Sequence, residues 1–329
     1  MLTFCTLFDI NYLIRGLALY ESLEELCESF HLYIFAFDDQ ADEILRKLSL
    51  KNATIISLRE FENEKLLAIK SSRTAVEYCW TSTPSTIEYV LDNYGVECCT
   101  YLDADLYFFA SPSPLLAEMG DKSVLITEHW YTPAFDKTQT SGRFCVQFMT
   151  FKNTSEGRKV LSWWRDACLD WCYAKYEDGK LGDQKYLDDW PERFFGVHIC
   201  QHLGGGVAPW NVQQYEPFSV GGAVHCRALK NGETFPLVFF HYHALQFLGA
   251  SRVNCSAYPL SSEVISYIYY PYIKRLLRME EKIRKRGLLI NPTSINIEFF
   301  LKRWLRKVLF LKHVPDNVLK FSMVEEPRV

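Results

Sequence analysis

The first half of the chain switches repeatedly between two spacings of apolar residues. "LTFCTLF", residues 2–8, is an unbroken apolar run of strand length that ends at the turn-like "DIN". "YLIRGLALYESLEEL", 12–26, then repeats its apolar positions at helical spacing. "HLYIFAFDD", 31–39, predicts a second strand ending in Asp38 and Asp39, and a helix over "ADEILRKLSL", 41–50, and a strand over "NATIISLREF", 52–61, continue the alternation. In "TSTPSTIEYVLDNYG", 81–95, Ser82 or Thr83 stands where a helix cap belongs, with Pro84 in the first turn and Gly95 at the close. "CCTYLDADLYFF", 98–109, reads as one buried strand. Further strands are predicted in "SVLITEHW", 123–130, and "RFCVQFMTFKN", 143–153, and a helix of about five turns in "SEGRKVLSWWRDACLDWCYAKY", 155–176. This alternation predicts an α/β protein with a Rossmann-like, mixed but mainly parallel sheet flanked by helices on both faces. Ligands of such sheets gather beyond the carboxyl ends of the strands.

The last part of the chain breaks the pattern. From Lys274 to Lys312 there are twelve Lys or Arg against three acids, Glu280, Glu281 and Glu298, with two helices expected on either side of "GLLINPTS". "IEFFLKRWLRKVLFLKH", 297–313, sets Phe299, Phe300, Trp304, Leu305, Val308 and Leu309 near one helix face and Lys302, Arg303, Arg306 and Lys307 toward the other. Such a helix reads either as an interfacial contact with anionic membrane or as a packed helix with a solvated basic side.

Composition narrows the class. The 329 residues are 48% hydrophobic and 23% charged, enough for a large core, and a net charge of −4 argues against a nucleic-acid partner. Eleven cysteines, an odd number with no secretory signal ahead of them, read as free thiols in a reducing compartment. Cys168 and Cys172 share a helix face but lack the second half of a zinc site, so they read as core. No run reaches the roughly 18 apolar residues of a membrane span, and the expectation is a soluble cytoplasmic protein, with peripheral contact at the inner face of the membrane as the tail's option.

The chemistry begins at Asp103 and Asp105, two carboxylates separated only by Ala104 within the apolar run 98–109. On a regular strand both would face one side, where they repel unless a cation lies between them. Oxygen-rich sites of this kind suit Mg²⁺ or Mn²⁺, which also hold phosphate oxygens. Three later segments follow in order: "LGDQKYLDDWP" at 181–191, "GGGVAPWNV" at 204–212, and "VFFHYHALQ" at 238–246 with His241 and His243.

Taken as an ordered set over roughly residues 1–250, these motifs resemble the nucleotide-sugar glycosyltransferases of the GT-A fold, as a cousin of the retaining glycogenin-like and lipopolysaccharide-galactosyltransferase-like enzymes. The resemblance implies a metal-dependent transfer of a sugar from a nucleoside diphosphate sugar, UDP-linked and with retention, to a glycan or lipid-linked glycan. It implies metal ligation by Asp103, Asp105 and His241, with His243 the less favoured alternative, and ribose contact by Asp103. Asp183 would bind sugar hydroxyls, and Gln184 would stabilise positive charge at the anomeric carbon. A helix cap at Asp183 is the plainer alternative. Phe4, Cys5 and Thr6 would pack the nucleobase, with Asp38 near it and Ala104 beside the donor. Lys70 and Arg73 are cationic candidates for the diphosphate or belong to a solvated helix face, Gln147 is a candidate for the sugar, and Trp210 and Tyr215 either stack on it or belong to the core. The implied division is a catalytic domain over 1–255, its donor half about 1–110 and its acceptor half about 111–255, followed by a helical basic region over 256–329.

The match has departures. "RFCVQF" stands where Phe-Asn-Ser-Gly is usual, so that Cys145 and Gln147 replace sugar-binding polar residues, and the Pro-Trp loop precedes its histidine. Two rival readings follow: a sugar-phosphate nucleotidyltransferase, which should carry a glycine-rich basic loop where "FDINYLIRG" stands, and an inactive carbohydrate- or nucleotide-binding protein of the same fold.

Overall fold

The computed structural model describes residues 1–248, 252–288 and 318–320. Its strands are β1 (Leu2–Phe8), β2 (Phe30–Ala36), β3 (Ala53–Ser57), β4 (Cys98–Leu102), β5 (Leu106–Phe108), β6 (Val124–Glu128), β7 (Phe144–Lys152), β8 (Val197–Ile199), β9 (Gly205–Val207), β10 (Tyr215–Val220), β11 (Ala223–Ala228), β12 (Thr234–Pro236) and β13 (Phe239–His241). The helices that frame them are α1 (Leu13–Leu26), α2 (Asp39–Leu48), α3 (Ala75–Asn93), α4 (Ser155–Asp170) and α5 (Tyr270–Lys285). Seven strands form the central sheet in the order β3-β2-β1-β4-β7-β6-β8. β3, β2, β1 and β4 run parallel, β7 runs antiparallel to both β4 and β6, and β8 returns parallel to β6. The chain leaves β1 toward β2 on one side and comes back to pair β4 on the other. The crevice at their carboxyl ends is therefore a topological switch point.

Alternation along β1 feeds two cores. Phe4 and Phe8 join the layer under α1 and α5, whereas Cys5 and Leu7 join the layer under α3 and α4. Both faces are covered, which is why these strands read as unbroken apolar runs.

The apolar run 98–109 is two strands, not one. β4 ends at Leu102, Asp103–Asp105 make a turn closed by Leu106 N–H to Asp103 C=O at 3.1 Å, and β5 leaves for a second sheet of order β5-β13-β9. Because both strands are buried, the apolar run carried no mark of the break except the two aspartates themselves.

Helix boundaries also differ from expectation. α3 starts seven residues before Ser82, at a capping box in which Thr74 Oγ1 accepts from Glu77 N–H and Glu77 Oε2 accepts from Thr74 N–H at 2.8 Å. Pro84 is an interior residue of this helix, kept there by burial of the surrounding turns. Replacing Thr74 by Ala removes one half of the box and should lower stability by about 1 kcal/mol, read as a lower urea midpoint at unchanged slope. α4 stops at Asp170, and the following loop is pinned where Glu77 accepts from Ala174 N–H at 2.8 Å. The strand expected over 52–61 ends at Ser57, which caps a short helix, Leu58–Phe61.

The expected basic appendage begins inside the core. Tyr269, Tyr272, Ile273, Leu276 and Met279 are buried in the same layer as α1. Arg275 reaches Glu21 at 2.9 Å and Glu25 at 2.7 Å, and Lys282 reaches Glu21 at 2.8 Å, so part of the basic run is neutralised on α1. The second helix expected at 297–313 lies outside the described residues. Among the described residues no helix is long and apolar enough to cross a membrane. All eleven cysteines are free thiols, with Cys168 and Cys172 buried in the core.

Candidate active site

A cavity of about 520 Å³ opens at the carboxyl ends of β1 and β4. Its floor is the turn after β4, where Asp103 N–H donates to Gln147 C=O at 3.0 Å and Tyr101 Oη donates to Asp103 Oδ1 at 3.0 Å. The second arm comes from β13, paired antiparallel to β5 with His241 opposite Leu106, and Tyr242 N–H donates to Asp105 C=O at 3.0 Å. That register brings His241 Nε2 to 3.1 Å from Asp105 Oδ1 and 3.8 Å from Asp103 Oδ2. One ligand atom from each of the three residues lies within 4.8 Å of the others.

The electrostatics of the trio follow from burial and mutual charge. Burial pushes the Asp103 carboxyl up to about 6 against the pull of His241. Burial also opposes ionisation of Asp105, but the adjoining His241 ring outweighs it and holds that group at about 2. For His241, burial favours the neutral ring, yet Asp105 and then Asp103 raise its pKa well above 6.5. In the free protein a proton on His241 thus does what a cation between the carboxylates would do. The donor set, two carboxylates and one imidazole, fits Mn²⁺ or Mg²⁺.

Asp183 and Gln184 line the same cavity. α4 holds Asp183 from within the helix: Trp164 Nε1 donates to Asp183 C=O at 2.9 Å. Gly182, with φ +53°, turns the chain there, and a Cβ would stand 3.3 Å from the Trp80 ring. Burial, and secondarily the charge of Asp103, push the Asp183 carboxyl up to about 8. Gln184 Nε2 donates to Ser141 C=O at 2.7 Å. Asp183 caps no helix; the turn that follows starts at Lys185.

Trp210 lines the cavity, with its Nε1 donating to His129 C=O at 2.8 Å and its ring edge-on to His241 at 5.3 Å. His243 also lines the cavity but stands outside the cluster of three. Ala104 and Cys145 complete the lining near the aspartates.

Other sequence-predicted residues stand elsewhere. Phe4, Cys5 and Thr6 are wholly buried in the middle of β1, and the residues of that strand that reach the cavity are Leu7 and Phe8, followed by Asp9. Asp38 caps α2, accepting from Ala41 N–H at 2.6 Å and from Ile10 N–H at 2.7 Å. Lys70 pairs with Glu62 at 2.5 Å, and Arg73 lies 3.9 Å over the Tyr173 ring. Tyr215 packs edge-on to Phe235 in the core. Gln147, fully buried, touches His241 instead of the cavity. Tyr12, Trp80, His129, Tyr131 and Lys137 line the cavity and were missed. The available signal for Leu7, Phe8 and Tyr12 was their place at and just after the carboxyl end of β1.

The sheet order, the β4 turn and the late histidine strand define the GT-A fold of glycosyltransferases. The galactosyltransferase LgtC, solved in complex with donor and acceptor sugar analogs, superposes with a TM-score of 0.52 at 14% identity over 88% of this chain and 100% of that one. The bifunctional glycosyltransferase WbbM superposes at 0.50 and 12% identity over 87% of this chain and 51% of that one. In sequence the chain belongs to the family of two Bacillus subtilis (strain 168) proteins, the uncharacterized proteins YfnD and YfnF. YfnD is 32% identical over 290 residues, covering 85% of this chain and 90% of that protein. YfnF is 32% identical over 259 residues, covering 76% and 84%. No protein-family model matches the chain.

Proposed function

We propose that this protein is a metal-dependent glycosyltransferase that moves a hexosyl group from a nucleoside diphosphate sugar, UDP-linked and with retention of configuration, to a glycan or lipid-linked glycan. The observation that carries the reading is the gathering of Asp103, Asp105 and His241 in one cavity with Asp183 and Gln184. Asp103, Asp105 and His241 would hold a divalent ion, Mn²⁺ or Mg²⁺, whose contribution when bound is to neutralise charge on the departing diphosphate.

The chain's own residues supply the rest. Leu7, Phe8 and Tyr12 offer an apolar wall for the base at the end of β1. Asp183 offers a carboxyl to sugar hydroxyls in a site where burial keeps it protonated at neutral pH. The Gln184 amide is fixed through its nitrogen on Ser141, which leaves the carbonyl oxygen as the end offered to the cavity. A carbonyl dipole there stabilises positive charge as it develops at the anomeric carbon.

Incubation with Mn²⁺ and a panel of nucleoside diphosphate sugars should release the nucleoside diphosphate slowly from one donor, and EDTA should stop the release. A protein that neither binds nor cleaves any donor, with metal or without, would overturn the reading.

A further inference from the structure

Gln147 stands at the junction of the two arms of the metal cluster. Its backbone carbonyl accepts from Asp103 N–H at 3.0 Å and so fixes the turn that carries both aspartates. Its side chain meets His241 Nδ1 at 2.8 Å through Oε1. Gln147 itself does not line the cavity and has no exposed surface.

The orientation of that amide is set by a chain of buried groups. Thr127 Oγ1 donates its single proton to Cys145 C=O at 3.4 Å, so toward Gln147 it can only accept. Gln147 Nε2 donates to it at 3.3 Å. The amide nitrogen is thereby committed to Thr127, and Oε1 is the end that faces the histidine. An oxygen there accepts only from Nδ1–H, which leaves the second ring nitrogen, Nε2, to carry the lone pair when the ring is neutral. Nε2 is the atom that faces Asp105 and Asp103.

We infer that Gln147 is a positioning residue: through the relay Cys145 C=O, Thr127, Gln147, it fixes His241 as the Nδ1–H tautomer and aims Nε2 at the two aspartates. The inference rests on the metal reading above. Hydrogen bonds of this outer kind set ring orientation and ligand basicity, and removing them weakens metal affinity by about 10–100-fold. On this view a glutamine at this position takes no part in sugar recognition.

The test uses the full chain and Mn²⁺ alone, followed by electron paramagnetic resonance. Free Mn²⁺ gives the dissociation constant, and pulsed measurements of bound Mn²⁺ detect the nitrogen coupling of a ligating imidazole. Gln147→Met keeps length but removes the acceptor; affinity should fall about 10–100-fold and the nitrogen coupling should weaken or vanish. Gln147→Glu keeps an acceptor for Nδ1–H and should retain the coupling. Thr127→Val frees the amide to flip and should shift affinity in the same direction as Gln147→Met. Should Gln147→Met fail to fold, Thr127→Val against Gln147→Glu decides the matter in its place. Wild-type affinity and coupling in Gln147→Met, or in Thr127→Val where that variant decides, overturn the inference and leave the metal reading standing. A wild-type protein that takes up no Mn²⁺, or binds it without imidazole coupling, overturns both.

Discussion

Asp105→Ala should yield a folded protein that no longer takes up Mn²⁺ and whose donor cleavage falls by about 10²–10³-fold or more. Of the three clustered residues, Asp105 is the one that is buried, ionised across the working pH range, and in direct contact with His241. Without it, a cation would be left with His241 and with Asp103, whose own carboxyl is pushed up to about 6. The side chain lines a cavity, and its loss leaves in place the backbone bonds that hold the turn, Leu106 N–H to Asp103 C=O and Tyr242 N–H to Asp105 C=O. Calorimetric titration of Mn²⁺ and a nucleoside diphosphate release assay check both halves, and wild-type activity would sink the assignment. The same contacts set a pH dependence. The aspartates raise the proton affinity of His241, so protons compete with metal at and above neutral pH, and Mn²⁺ binding should tighten as pH rises.

How far the sequence reached depends on what each residue's partners are. Elements whose burial is regular, β1 and β2 on both faces and α1 and α2 along one stripe, appear close to where apolar spacing puts them, because the same burial that stabilises the element shapes its pattern. The pattern fails where long-range contacts decide. The turn between β4 and β5 is made by Asp103 and by partners from β7 and β13, none of them near in sequence. The start of α3 was legible in the pair Thr74 and Glu77, but Pro84 was a stronger local signal and misled the boundary.

Of the expected site residues, the aspartates stood out as charges in an apolar run and Asp183, Gln184 and His241 through the ordered set of motifs, and all five line one cavity. Lys70 and Arg73 do not: a charge on a helix says nothing about which neighbour claims it, and Glu62 and Tyr173 claim these two. Gln147 was read as a sugar contact for want of the sheet's second cover: with both faces of β7 buried, a mid-strand side chain reaches only other buried groups.

Asp183→Asn is the variant in which activity and stability should move in opposite directions. The carboxyl titrates near 3.8 in an unfolded chain and near 8 in the folded protein, chiefly through burial and then through the charge of Asp103. Between those values the folded state binds more protons, so stability falls as pH rises from about 4 to about 8 and the whole penalty is present above that. Asparagine carries no charge to desolvate. Metal-free Asp183→Asn should therefore melt higher than wild type at pH 8, with the gap shrinking toward zero below pH 4. Transfer responds in the other sense. The carboxyl that holds the sugar hydroxyls fixes the donor in the geometry for transfer. An amide in its place alters the donor and acceptor pattern offered to those hydroxyls, and kcat should drop by about 10²-fold. Thermal melts from pH 4 to 9 beside steady-state kinetics measure both. An Asp183→Asn protein that keeps wild-type kcat removes Asp183 from the chemistry, and one that gains no stability at alkaline pH shows that the carboxyl is not held protonated in the free site.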